Sequence, residues 1–84
     1  SSIEKFIEDP FVIFPNPTTE KITLISSQKI EYIKITNTLG KVINYQKDVF
    51  ANQITLSLLS RPKGTYFIEL KTDNNIYSKK IILN

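Results

Sequence analysis

The 84-residue chain contains no His and no Cys, so the commonest general base, the commonest metal ligand and any thiolate nucleophile are all missing. Ser and Thr are plentiful, but a hydroxyl nucleophile needs an adjacent base, and only Lys or a carboxylate is left to act as one. The candidate carboxylates Glu20, Glu31, Glu69 and Asp73 fall on separate segments with no visible pairing. Asp73-Asn74-Asn75 is the one short-spaced run of oxygen ligands. Such a triplet reads as a hairpin turn before it reads as a calcium loop. The chain is therefore expected to be no enzyme, with no metal and no cofactor.

Binding chemistry is the next candidate. The net charge is +3 and the pI near 9.2. Residues 1–10 set Glu4, Glu8 and Asp9 against Lys5, a net of −2, which leaves +5 on residues 11–84. Tyr32, Tyr45, Phe67 and Tyr77 alternate with Lys34, Lys47 and Lys79, as on barrels that stack nucleic-acid bases. Trp is absent and Arg61 is the single arginine, so clustered guanidinium groups are missing. A Lys-rich β surface also protects strand edges from aggregation. No nucleic-acid partner is expected.

These side chains must be positioned by strands. Ile recurs throughout with Thr, Tyr, Phe and Val, while Ala occurs once, at Ala51. β-branched and aromatic side chains suit a pleated, half-buried surface. Residues 1–10 show no period and end at Pro10, which reads as a lead-in from a larger upstream protein. Residues 11–14 form a short apolar strand, stopped by Pro15-Asn16-Pro17, where two N–H donors are lost. Further strands are expected over 21–26, 30–36, 41–47, 53–58, 65–72 and 76–84. The cleanest alternation is Ile54, Leu56 and Leu58 inward against Gln53, Thr55 and Ser57 outward. Gly40 and the run Ser60-Arg61-Pro62-Lys63-Gly64 mark turns. The expected core is Ile22, Leu24, Ile33, Ile35, Ile54, Leu56, Tyr66, Ile68 and Leu70.

About seven short antiparallel strands with turns between them indicate a two-sheet β-sandwich, with a partly open barrel as the competing architecture. Tyr66, two residues after Gly64, matches the tyrosine corner of immunoglobulin-like sandwiches, with Pro62-Lys63-Gly64 setting its entry. No run approaches the roughly 20 apolar residues of a membrane-spanning helix, and no signal peptide is visible. Export, if it occurs, is expected to be started by another part of a longer precursor.

Four segments occur in a telling order: Phe14-Pro15-Asn16-Pro17-Thr18, Asn37-Thr38-Leu39-Gly40-Lys41, the run from Leu58 through Pro62-Lys63-Gly64-Thr65-Tyr66-Phe67, and Lys79-Lys80-Ile81-Ile82-Leu83. Together they make residues 11–84 similar to the type A C-terminal sorting domain of the type IX secretion system of Gram-negative bacteria. Two departures are Arg61, where the family usually has Leu, and Ile76-Tyr77-Ser78, where Gly-x-x-Tyr or Thr is common. The resemblance implies an immunoglobulin-like sandwich attached to an upstream cargo. It implies passage from the periplasm through an outer-membrane translocon to the cell surface or beyond. It also implies removal by a sortase-like peptidase, with cleavage expected in or before residues 1–10. Pro15, Asn16, Pro17, Leu39, Gly40, Pro62, Gly64 and Tyr66 are then structural motif residues. Lys79, Lys80, Ile81, Ile82, Leu83 and Asn84 are the stretch the machinery is expected to read, on a strand whose far end is free. The alternative is a retained immunoglobulin-like module that grips a carbohydrate or a partner domain.

Overall fold

A computed structural model describes residues 11–73 and 75–84. The expected lead-in over 1–10 and Asn74 of the hairpin turn lie outside the described residues. Among the described residues there are five strands: β1 (Phe11–Phe14), β2 (Lys21–Asn37), β3 (Val42–Ser57), β4 (Gly64–Lys71) and β5 (Ile76–Leu83). All pair antiparallel in one sheet, ordered β1-β2-β4-β5, with β3 also on β2. The all-β expectation holds. Where about seven strands in two packed sheets were expected, the structure has five strands in one curled sheet.

The difference has a local cause. The expected breaks at 27–29 and 48–52 contain neither Gly nor Pro, so nothing stops the ladder. It bends instead. Pairing of β2 with β3 shifts register between Ile25 and Ile30 and again between Ile30 and Tyr32. Asp48 and Phe50 adopt positive φ, 55° and 46°, on the opposite strand. The buried Ser26 holds the corner: its Oγ accepts from the Gln28 N–H at 3.0 Å, and its carbonyl accepts from Asn52 Nδ2 at 3.1 Å. Short polar side chains competing for backbone groups in this way favour bends over regular ladder.

The bulge also switches the inward face. Ile22, Leu24 and Ile30 are buried at even positions, then Ile33 and Ile35 at odd ones. Because side chains alternate with a period of two, only an irregularity in the strand permits this change. Over its first half β2 lies between β1 and β3, and over its second half between β4 and β3. The curl closes the sheet over a single cluster that joins Phe11, Ile22, Leu24 and Leu56 to Ile35, Ile68, Leu70 and Ile81. Phe11 of β1 meets Tyr77 of β5 with ring centroids 5.7 Å apart, which links the two ends of the sheet order. Of the expected core only Ile54 is partly exposed, while Phe11, Ile30, Leu58, Ile81 and Leu83 join it.

Candidate functional site

The four sequence motifs come together along one end of the sheet. Asn37, the last residue of β2, pairs with Tyr66 of β4, and Tyr66 pairs with Ile81 of β5. Gly64 pairs with Leu83, and Leu83 bridges in parallel to Thr18 in the loop after β1. Segments far apart in sequence are thereby placed side by side. Each is built locally by hydrogen bonds that its own residue types supply.

Asn37 makes the first turn. Its Oδ1 accepts from the N–H groups of Leu39 and Lys41 at 2.9 and 3.0 Å, and its backbone exchanges hydrogen bonds with Gly40 and Lys41. Gly40 closes the turn at φ 84°, a conformation that favours glycine. Leu39 is 91% exposed at the tip, so packing within the domain does not account for it.

The β3–β4 loop makes the second. The Tyr66 hydroxyl donates to the Pro62 carbonyl, four residues upstream, and the ring is buried: a tyrosine corner. Gly64 enters β4 at φ 142°. Arg61 reaches across to β3, its Nη2 donating to the Ile43 carbonyl at 2.8 Å. Between these two turns lies a cavity of about 650 Å³, with Val42, Ile43, Pro62 and Tyr66 among its apolar lining and Lys41, Arg61 and Lys63 also lining it.

The third element corrects the expectation that the far end of the last strand is free. Along the outer edge of β5, Asn16 acts as a surrogate strand. Its Nδ2 donates to the Lys80 carbonyl and its Oδ1 accepts from the Ile82 N–H, both at 3.2 Å. Thr18 continues the pattern: its N–H donates to Ile82 O at 2.8 Å and its carbonyl accepts from Asn84 N–H at 2.7 Å. Pro15 and Pro17, which supply no N–H, flank the one side chain able to mimic a peptide group here. Buried Thr18 fixes the loop by donating from Oγ1 to Lys21 O at 2.6 Å.

The terminal stretch 79–84 is thus divided. Ile81 and Leu83 are buried. Lys79 holds its ammonium 5.2 Å from the centre of the Phe11 ring, within cation–π range. Lys80 and Asn84 are exposed and Ile82 is half-buried.

The aromatic and lysine positions considered for nucleic acid do not form one stacking platform. Tyr77 packs on Phe11, while Tyr32 meets Tyr45 at a tilt, their ring centroids 5.7 Å apart. The Tyr32 hydroxyl donates to Glu69 Oε2 at 2.7 Å; that bond to a carboxylate, aided by desolvation and the same charge, pushes its pKa up to about 12. Lys34 lies 3.7 Å from Glu69, and Lys71 3.1 Å from Glu31, so this face alternates in sign. Among the described residues no group of three or more His, Cys, Asp or Glu is placed to hold a metal ion, and no helix is long and apolar enough to cross a membrane.

The fold is a small antiparallel β domain whose motif residues lie in turns and along one strand edge. The chain belongs to the family of secretion system C-terminal sorting domains, whose model matches residues 12–84. It is the type IX sorting domain, which implies export to the cell surface or extracellular space. A comparison with curated proteins finds no match.

Proposed function

We propose that residues 11–84 are the handle by which an attached upstream protein is carried across the outer membrane by the type IX translocon, and that the handle is no enzyme. After export a sortase-like peptidase at the surface cuts in or before residues 1–10, the acidic lead-in of the sequence. The observation that carries this reading is the family match over residues 12–84. The convergence of all four motifs on one end of the sheet supports it. The curl of the sheet and the Tyr66 corner support describing the fold as an immunoglobulin-like sandwich, its layers being the two halves of β2 and β3 with their neighbours.

Within this reading, residues 79–84 are the stretch the machinery engages. With Ile81 and Leu83 buried, the folded domain offers the Lys80, Ile82 and Asn84 side chains, while pairing with the strand's outer backbone requires the loop at residues 16–18 to let go. Mass spectrometry of the mature secreted protein tests the removal step. A mature C-terminus upstream of Phe11 is expected. Residues 11–84 found intact on the mature protein would favour a retained adhesive module instead.

A further inference from the structure

We propose that the cavity between the Asn37 turn and the Arg61–Tyr66 loop docks an acidic polypeptide segment that inserts one apolar side chain. The assignment of that segment to a loop of a secretion-machinery protein rests on the sorting reading above. Three observations carry the inference.

The first is the exposed Leu39. Its turn is fully specified by Asn37 and Gly40, and the leucine adds nothing to the core, being 91% exposed. An apolar side chain held out at the tip of a hydrogen-bonded turn, on the wall of a cavity, is suited to being covered by a partner. The second is the shape. About 650 Å³ lined by Val42, Ile43, Pro62 and Tyr66 is enough for one large side chain and the backbone around it.

The third is charge. Lys41, Arg61 and Lys63 line the cavity, and among the described residues no carboxylate does. None of the three is in an ion pair among the described residues, whereas Lys34 and Lys71 are paired with Glu69 and Glu31 on another part of the sheet. Three cations around one concave site give a positive field that draws and orients an acidic segment. A lipid surface would instead favour basic residues on a convex patch, with no cavity to fill.

The test uses the whole 84-residue chain. Leu39→Ser and Lys41→Glu/Lys63→Glu are compared with wild type and with the control Lys29→Glu/Lys47→Glu at the bend. Arg61 is left in place because it also holds Ile43. Thermal unfolding establishes that each variant folds, and both sites are exposed, so near-wild-type stability is expected. A fluorescent ten-residue Glu/Asp peptide with a central Phe serves as probe, beside its Gln/Asn counterpart. The acidic peptide is expected to bind wild type at least about tenfold more tightly than the neutral one, and to weaken with salt as screening grows. Binding is expected to fall at least about tenfold in the double reversal, fall also in Leu39→Ser, return in Lys41→Arg/Lys63→Arg, and stay unchanged in the control.

Export of a reporter fused to each variant, in a bacterium with a type IX system, is expected to follow the same order. If folded Leu39→Ser and the double reversal bind the peptide and export the reporter like wild type, the proposal is overturned. Binding to anionic lipid vesicles but not to the peptide, lost in the double reversal, overturns it in favour of a membrane surface. If the wild-type reporter is itself not exported, the sorting reading fails, and peptide binding alone decides the docking site.

Discussion

Asn16→Ala isolates the contact that pins the terminal strand. The substitution removes two side-chain-to-backbone hydrogen bonds at 3.2 Å, one to Lys80 O and one from Ile82 N–H, without touching the core. Each such bond contributes on the order of 0.5–1.5 kcal/mol net. These two are exposed, so water replaces part of what is lost, and the expected destabilisation is about 1–2 kcal/mol. For a domain of this size that is a fall in Tm of roughly 4–16 °C, at about 4–8 °C per kcal/mol. Urea unfolding gives the global loss, and amide hydrogen exchange gives its location. The Ile82 N–H should exchange at least about tenfold faster, while the amides of Ile33 and Ile68 change only in step with global stability. Asn16→Asp separates the halves of the contact. It keeps an acceptor for Ile82 N–H but faces the Lys80 carbonyl with negative charge, so Ile82 should stay protected although stability falls. Unchanged exchange at Ile82 in Asn16→Ala, with an unchanged urea midpoint, would refute the surrogate-strand role.

Other expected outcomes are as direct. The Tyr32 phenol, raised to about 12 by Glu69, contributes stability that is complete below pH 10 and lost as pH climbs through 12. In an ultraviolet titration one phenol should ionise near pH 12, and Glu69→Gln should move it toward the ordinary tyrosine range; an unmoved phenol contradicts the assignment. Thr72 is fully buried and its hydroxyl has no partner among the described residues, so Thr72→Val should raise stability by about 1 kcal/mol in urea unfolding, and a loss would show that the hydroxyl is bonded. Gly40 has open space around a notional Cβ but sits at φ 84°, so Gly40→Ala should lower stability by about 1–2 kcal/mol through backbone strain alone. A neutral result there would mean that the turn relaxes.

The strand segments were legible because alternation survives wherever one face is buried: Ile54, Leu56 and Leu58 needed no tertiary knowledge. The Tyr66 corner was legible too, since Gly64 two residues earlier marks the strand entry. What alternation could not show was continuity through a bend. Ser27-Gln28-Lys29 is polar enough to read as a loop, yet the bend keeps its place in the ladder because Ser26 and Asn52 satisfy the corner. The parity switch from Ile30 to Ile33 depends on that bulge, and no local pattern announces it. Pro15-Asn16-Pro17 was visible as a strand stop, but the partner of Asn16 lies 66 residues away, beyond any local signal. Asn37 and Leu39 stand out in the sequence only as parts of one motif. The sequence alone did not separate the residue that builds the turn from the one the turn holds out.

The central claim is that this domain directs an attached protein through the type IX system. The most direct measurement is secretion of a periplasm-targeted reporter fused upstream of residues 1–84, in a bacterium possessing the system and in an isogenic strain lacking its translocon. The account requires the reporter in the medium or on the cell surface of the first strain and its retention inside the second. Retention in both strains, or equal export from both, would contradict it.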